Sequence, residues 1–275
     1  MSKFITVLNL DFRKNFNVYI LYNLITAILT FIFIVICTFI FIDKNINVIN
    51  PFTHKEGIVF SDIFYENVYI LFISAISIFG ATAYTVMSWV IGLYEKNESI
   101  LTIMTLPISK INIYISKLIN SIIFVNSVVF TQIISIYAAK NIFYFIASSK
   151  VEVIKTNLRE DIISMPKIMF LNIYIGDFII ENIFYLLCII SLLSLCSIIF
   201  MVFRSNSYVF VVSIAILTYA SLNIPIKVMD KFIYNIFILT GITSNIIVVR
   251  IILSIIFSII SAVLSYLLIE KKLEL

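Results

Sequence analysis

Residues 18–42 read VYILYNLITAILTFIFIVICTFIFI. The stretch holds no Asp, Glu, Lys, Arg or His. A helix needs about 20 mostly apolar residues to cross the hydrocarbon core of a bilayer, and this run exceeds that length. The rest of the chain repeats the pattern. Of 275 residues, 62% are hydrophobic and only 12% are charged, with a mean hydropathy of +1.13. So few charges do not cover the surface of a soluble domain of this size. The sequence therefore predicts an all-α polytopic membrane protein, with residues 1–275 forming one transmembrane domain.

Outward from the first run, further spans are predicted over 67–94, 118–139, 183–203, 208–224 and 246–269, giving about six transmembrane helices. Residues 1–17 precede them. Phe4, Val7, Leu8 and, less neatly, Phe12 share a helical face, opposite Lys3, Asp11, Arg13 and Lys14. That pattern predicts a separate helix lying in the membrane interface. It does not read as a secretory signal: the apolar run that follows is too long for an h-region, and no small-residue cleavage site follows it. Between the spans, 43–66 is polar and holds Pro51, His54 and Gly57. The longest connection, 140–182, is charged over 150–167 and apolar again over 168–180, where Gly176 and Asp177 interrupt it. That apolar piece and the mixed segment 226–245 are read as interfacial or re-entrant. Arg204-Ser205-Asn206-Ser207 forms a tight polar turn, and Glu270-Lys271-Lys272 follows the last span.

Basic residues orient such a chain. With the N-terminus inside, 9 Lys and Arg fall on inner segments and 10 on outer ones, so the raw count does not decide. The inner segments are shorter, and their net charge is +4 against 0 outside. Both termini are accordingly expected on the cytoplasmic side.

Several chemistries are disfavoured. Cys37, Cys188 and Cys196 all lie in apolar runs and read as small buried hydrophobes. His54 stands alone, and no Cys or His pair has ligand spacing, so no metal site and no cofactor are expected. No dense basic run points to nucleic acid. The 5 Gly residues form no G-x-x-x-x-G-K-[ST] phosphate cradle, so no ATPase site is expected in the chain, which is not read as an enzyme. Ionisable residues are missing from the middle of each predicted span, which argues against an ion-coupled carrier and an intramembrane protease. Arg250, near the outer end of the sixth span, can snorkel.

Polar uncharged residues do enter the spans. Asn23, Thr26 and Thr30 recur at helical spacing in the first, and Ser254, Ser258, Ser261 and Ser265 in the sixth. The third carries Asn120, Asn126, Thr131, Gln132 and Ser135. Small and hydroxyl residues of this kind pack helices closely and hydrogen-bond across them. A sharper alternative makes Asn126 and Gln132 the lining of a translocation path.

The segment between the second and third spans is the most informative for function. It reads YEKNESILTIMTLPISK over 94–110. Glu95, Lys96 and Glu98 make a charged front, and Ile100, Leu101, Ile103, Met104 and Leu106 give a short amphipathic helix. Pro107 ends it, because a proline disfavours helix at the residue before it. Ser109 can cap the next helix. Pattern alone also allows an ordinary loop with one helical turn.

This stretch resembles the loop between spans two and three of bacterial type-two ABC exporter permeases. The matching elements are Glu95, Glu98, Leu101, Leu106, Pro107, Ile108, Ser109 and Lys117. The order of interfacial helix, two spans, this loop and further spans is also similar, as is the polar, partly apolar segment between spans five and six. The long charged region 140–182 departs from the short turn of many family members. The resemblance implies a chain in the bacterial cytoplasmic membrane whose loop is a coupling helix, seated in a groove of a separate cytoplasmic ABC ATPase. Glu95, Glu98, Leu101, Met104 and Pro107 would form that coupling element. A second permease chain, identical or sister, would complete the path, with lipid around both. Two other readings compete: a membrane immunity or assembly factor that works without an ATPase, and a secondary carrier, for which the halves show no internal similarity.

Overall fold

The computed structural model describes residues 2–46, 58–94, 110–150, 153–157 and 160–161, together with positions 186–187, 190, 251–252, 255–256, 258–264 and 267. Among the described residues four helices have defined limits: α1 (Ser2–Ile46), α2 (Asp62–Glu66), α3 (Val68–Tyr94) and α4 (Lys110–Ala147). No strand occurs among the described residues, where the extended backbone is limited to a parallel bridge between Ile58 and Val153. The described positions of the expected sixth span, within 251–267, are helical. The fifth span, most of the fourth and the whole of 95–109 lie outside the described residues, as do His54, Cys188 and Cys196.

α1 corrects one expectation. A separate interfacial helix over 1–17 is not formed: α1 runs without interruption from Ser2 to Ile46. Its sequence contains no Gly or Pro, and Asn15 and Asn17 alone are too weak as breakers to end a helix. The Asn15 amide stays within the helix, donating to the Asp11 carbonyl at 3.1 Å. α4 likewise lacks Gly and Pro and extends beyond the expected 118–139 at both ends. It begins at Lys110, directly after Ser109. α3 matches the expected second span to within a residue.

Among the described residues two stretches, Leu8–Lys44 and Ile115–Ala147, are long and apolar enough to cross a membrane. Less than half of the most apolar part of each is buried. Much of what they expose is apolar: Leu21, Leu24, Ile28, Leu29, Ile32 and Ile36 on α1, and Ile123, Phe130 and Ile134 on α4. What they bury includes Thr26, Thr30, Thr38, Asn120, Gln132 and Ser135. Over 258–264 the same inversion recurs, with Ser258 and Ser261 buried while Ile259, Ile260, Val263 and Leu264 are exposed. Exposed Ile and Leu beside hydroxyls and amides buried within the same helices depart from the arrangement that water favours.

The chain divides into two compact units. One comprises Met1–Asn17, Phe79–Val125 and Ile179–Leu275. Here the start of α1 is fastened by side chains of α3 and α4. Tyr84 donates its hydroxyl to Asn15 Oδ1 at 3.1 Å. Asn120 Nδ2 donates to Asp11 Oδ2 at 2.9 Å and to the Leu8 carbonyl at 3.2 Å. The Tyr84 and Phe124 rings meet edge to face at 5.8 Å.

The other unit comprises Val18–Ile78 and Asn126–Phe178. Its apolar core joins Ile34, Phe41 and Ile42 of α1 with Val128, Ile136 and Phe143 of α4. Residues 58–66 belong to it as well. Phe60, Ile63 and Phe64 are fully buried, and the Phe60 ring contacts those of Phe64 and Phe143, each at 5.5 Å. The short helix α2 is preceded by a turn in which Val59 N donates to Asp62 Oδ2 at 3.0 Å. Asn67 then separates α2 from α3, its backbone N–H returning to the Ile63 carbonyl at 3.0 Å.

Candidate functional site: a polar seam in an apolar bundle

Within the second unit, polar side chains of α1, α3 and α4 converge. Their spacing explains why. Tyr22 and Asn23 are followed on α1 by Thr26 and Thr30, and Ser74 and Ser77 lie three residues apart on α3. Ser127 and Thr131 lie four apart on α4, with Gln132 beside them. Residues three or four apart share a helix face, so each helix carries a narrow polar stripe through an apolar surface.

Asn23 is the hub between α1 and α4. Its Nδ2 donates to the Tyr19 carbonyl at 2.8 Å and to Ser127 Oγ at 2.9 Å. Its Oδ1 accepts from Thr131 Oγ1 at 3.0 Å. Thr131 also lies 2.8 Å from the Ser127 carbonyl one turn earlier, so the hydroxyl is placed by its own helix as well as by its neighbour.

Gln132 is the hub between α4 and α3. It is fully buried, and its Nε2 donates to the Ser74 carbonyl at 3.1 Å and to Ser77 Oγ. A carbonyl accepts only from the NH₂ side of the amide, so Ser74 fixes which way the Gln132 amide faces. Ser77 donates to the same Ser74 carbonyl at 2.9 Å. Tyr22 adds the third edge, donating its hydroxyl to the Ser77 carbonyl at 2.7 Å. The three helices are thereby linked pairwise by uncharged hydrogen bonds. In an apolar medium such bonds favour close, specific helix pairing. Gln132 Oε1, Ser74 Oγ and Thr30 Oγ1 are buried without a hydrogen-bond partner among the described residues.

Gln132 thus lies at a helix–helix contact. Asn126 is half-buried on α4, six residues earlier and about 120° away around a helix of 3.6 residues per turn. The coupling residues Glu95, Glu98, Leu101, Met104 and Pro107 lie outside the described residues. Ser74, Ser77, Tyr22 and Ser127 did not stand out in the sequence. The signal was present: from Ser74, small and hydroxyl residues recur at 77, 81, 82, 85 and 88, a stripe at helical spacing.

A second polar group lies in the same unit. Lys140, expected to open a charged outer loop, sits instead inside α4 with its side chain buried against the fully buried Asp161. No group of three or more His, Cys, Asp or Glu able to hold a metal occurs among the described residues. No protein-family model, curated protein or solved structure matches the chain.

Proposed function

We propose that this chain is the membrane-spanning permease subunit of a bacterial ATP-driven exporter of the type-two ABC class. It would cross the cytoplasmic membrane about six times with both termini inside. The observation that carries the reading is the placement of the second connection. α3 ends at Tyr94 and α4 begins at Lys110. The segment left between them is the charged and then apolar stretch whose residues resemble the family's coupling helix.

The physical logic follows from that placement. A short helix tied at each end to an apolar rod passes a push to both rods. The seam then matters, because Gln132 and Ser74 link those rods to each other. Motion received at 95–109 would move α3 and α4 together rather than splaying them. Glu95 and Glu98 supply charge for an ATPase surface, and Leu101 and Met104 supply apolar contacts for its groove. The chain contains no P-loop, so the energy comes from the partner. A second permease chain encloses the path.

Affinity purification of the full chain in mild detergent tests this. The expected result is co-purification of an ATPase and a second permease chain, with recovery of the ATPase reduced by Glu98→Ala and Leu101→Ala. Purification of the wild-type chain with no ATPase, from cells that express its operon neighbours, contradicts the proposal.

A further inference from the structure

Two segments of the second unit are held by opposite means. Residues 58–66 are anchored by burial, with Phe60, Ile63 and Phe64 fully covered. Residues 153–157 and Glu160 are not: Ile154, Lys155, Asn157 and Glu160 are exposed, and Val153 is only half-buried. What holds the latter is polar. Lys140 Nζ pairs with Asp161 Oδ2 and also donates to the Thr156 carbonyl at 2.6 Å. Thr156 Oγ1 donates to Asp161 Oδ1. One turn along α4, the Tyr144 hydroxyl accepts the Thr156 N–H at 3.0 Å and lies 3.1 Å from its Oγ1. The Lys140 ammonium stands 5.4 Å from the centre of the Tyr144 ring. Every polar atom of Thr156 is therefore engaged, by residues 140, 144 and 161. One further hydrogen bond, Ile154 N–H to the Ile58 carbonyl at 3.2 Å, ties the segment to 58–66.

We propose that residues 153–157, together with Glu160 and Asp161, form a strap latched to the end of α4 by the Lys140–Asp161 pair, and that this latch can open while the rest of the unit stays packed. A fully covered ammonium and carboxylate gain little over an apolar pair of the same volume, yet removing one member is costly. Such a pair selects one arrangement more than it adds to stability, as a catch does. An ionisable group within a largely apolar helix marks a functional element by default, and Asp161 is its partner here. Among the described residues of the strap Ile154 is exposed and Val153 half-buried, so burial contributes little there, and the pair acts together with the Tyr144–Thr156 and Ile154–Ile58 hydrogen bonds. The inference does not depend on the permease reading, because it concerns neither 95–109 nor an ATPase.

Hydrogen exchange on the full chain in lipid nanodiscs tests it. Two variants are compared with the wild type: Lys140→Met, and the double variant Lys140→Met/Asp161→Leu, which removes both charges and carries the test if the single variant does not accumulate. The expected result in both is exchange about tenfold faster or more at the amides of Ile154, Thr156 and Asp161, with those of Phe64 and Asn67 unchanged. Wild-type protection of the strap in the double variant overturns the proposal, because shape rather than charge would then hold it. An equal loss of protection at Phe64 and Asn67 also overturns it, because the pair would then be a structural member of the whole unit.

Discussion

The side-chain amide of Gln132 donates to the backbone carbonyl of Ser74 at 3.1 Å, joining α4 to α3. The bond is fully buried at the glutamine end. Replacing Gln132 with Leu keeps the bulk and removes the donor. Cross-helix hydrogen bonds in membrane proteins contribute about 0.6 kcal/mol on average and up to about 1.7, so Gln132→Leu should lower thermal stability in detergent modestly. A stability equal to that of the wild type would show that packing alone joins the two helices.

Asn23 and Thr131 provide a pairwise test between α1 and α4. Asn23→Leu and Thr131→Val each remove one side of the 3.0 Å bond. A double-mutant cycle should return a coupling of about 0.5–1.5 kcal/mol, because residues in direct contact do not act additively. Strictly additive effects in unfolding measurements would place the two side chains out of contact.

Phe60 should be among the least replaceable residues. It is fully buried and its ring contacts two other aromatic rings. Phe60→Ala leaves a cavity, and core truncations of this size cost about 3–5 kcal/mol. A large fall in the unfolding midpoint is expected. A change of a degree or two would mean that 58–66 is not seated on the apolar core.

The continuity of α1 makes a sharp prediction at Asn17. A proline inside a helix removes a hydrogen bond and clashes with the preceding turn, costing about 3 kcal/mol or more. Asn17→Pro should therefore destabilise the protein strongly, as read by thermal unfolding and by yield in membranes. A variant as stable as the wild type would restore the picture of two separate helices with a joint near residue 17.

That last point marks where the sequence could be read and where it could not. The limits of α3 were legible because charge resumes at once beyond Tyr94, at Glu95, and α4 begins just past Pro107 and Ser109, at Lys110. The continuity of α1 was not, because a change from amphipathic to apolar composition looks like a boundary. Composition reports the surroundings of a helix rather than its end, and no Gly or Pro stands between Ser2 and Ile46. Lys140 misled for a related reason. A lysine reads as the end of an apolar span unless its partner is known, and Asp161 lies 21 residues away beyond a turn. Gln132 was visible as an unusual residue, but its contact on α3 was not. The partner atom is a backbone carbonyl, and every residue has one.

The central claim is that 95–109 faces the cytoplasm, where an ATPase can grip it. Cysteine placed at Glu98, in a chain whose Cys37, Cys188 and Cys196 are replaced by Ala, reports its side directly. With a membrane-impermeant thiol reagent, the account predicts labelling in inside-out vesicles and none on intact cells. Labelling of Glu98→Cys from outside intact cells would contradict it.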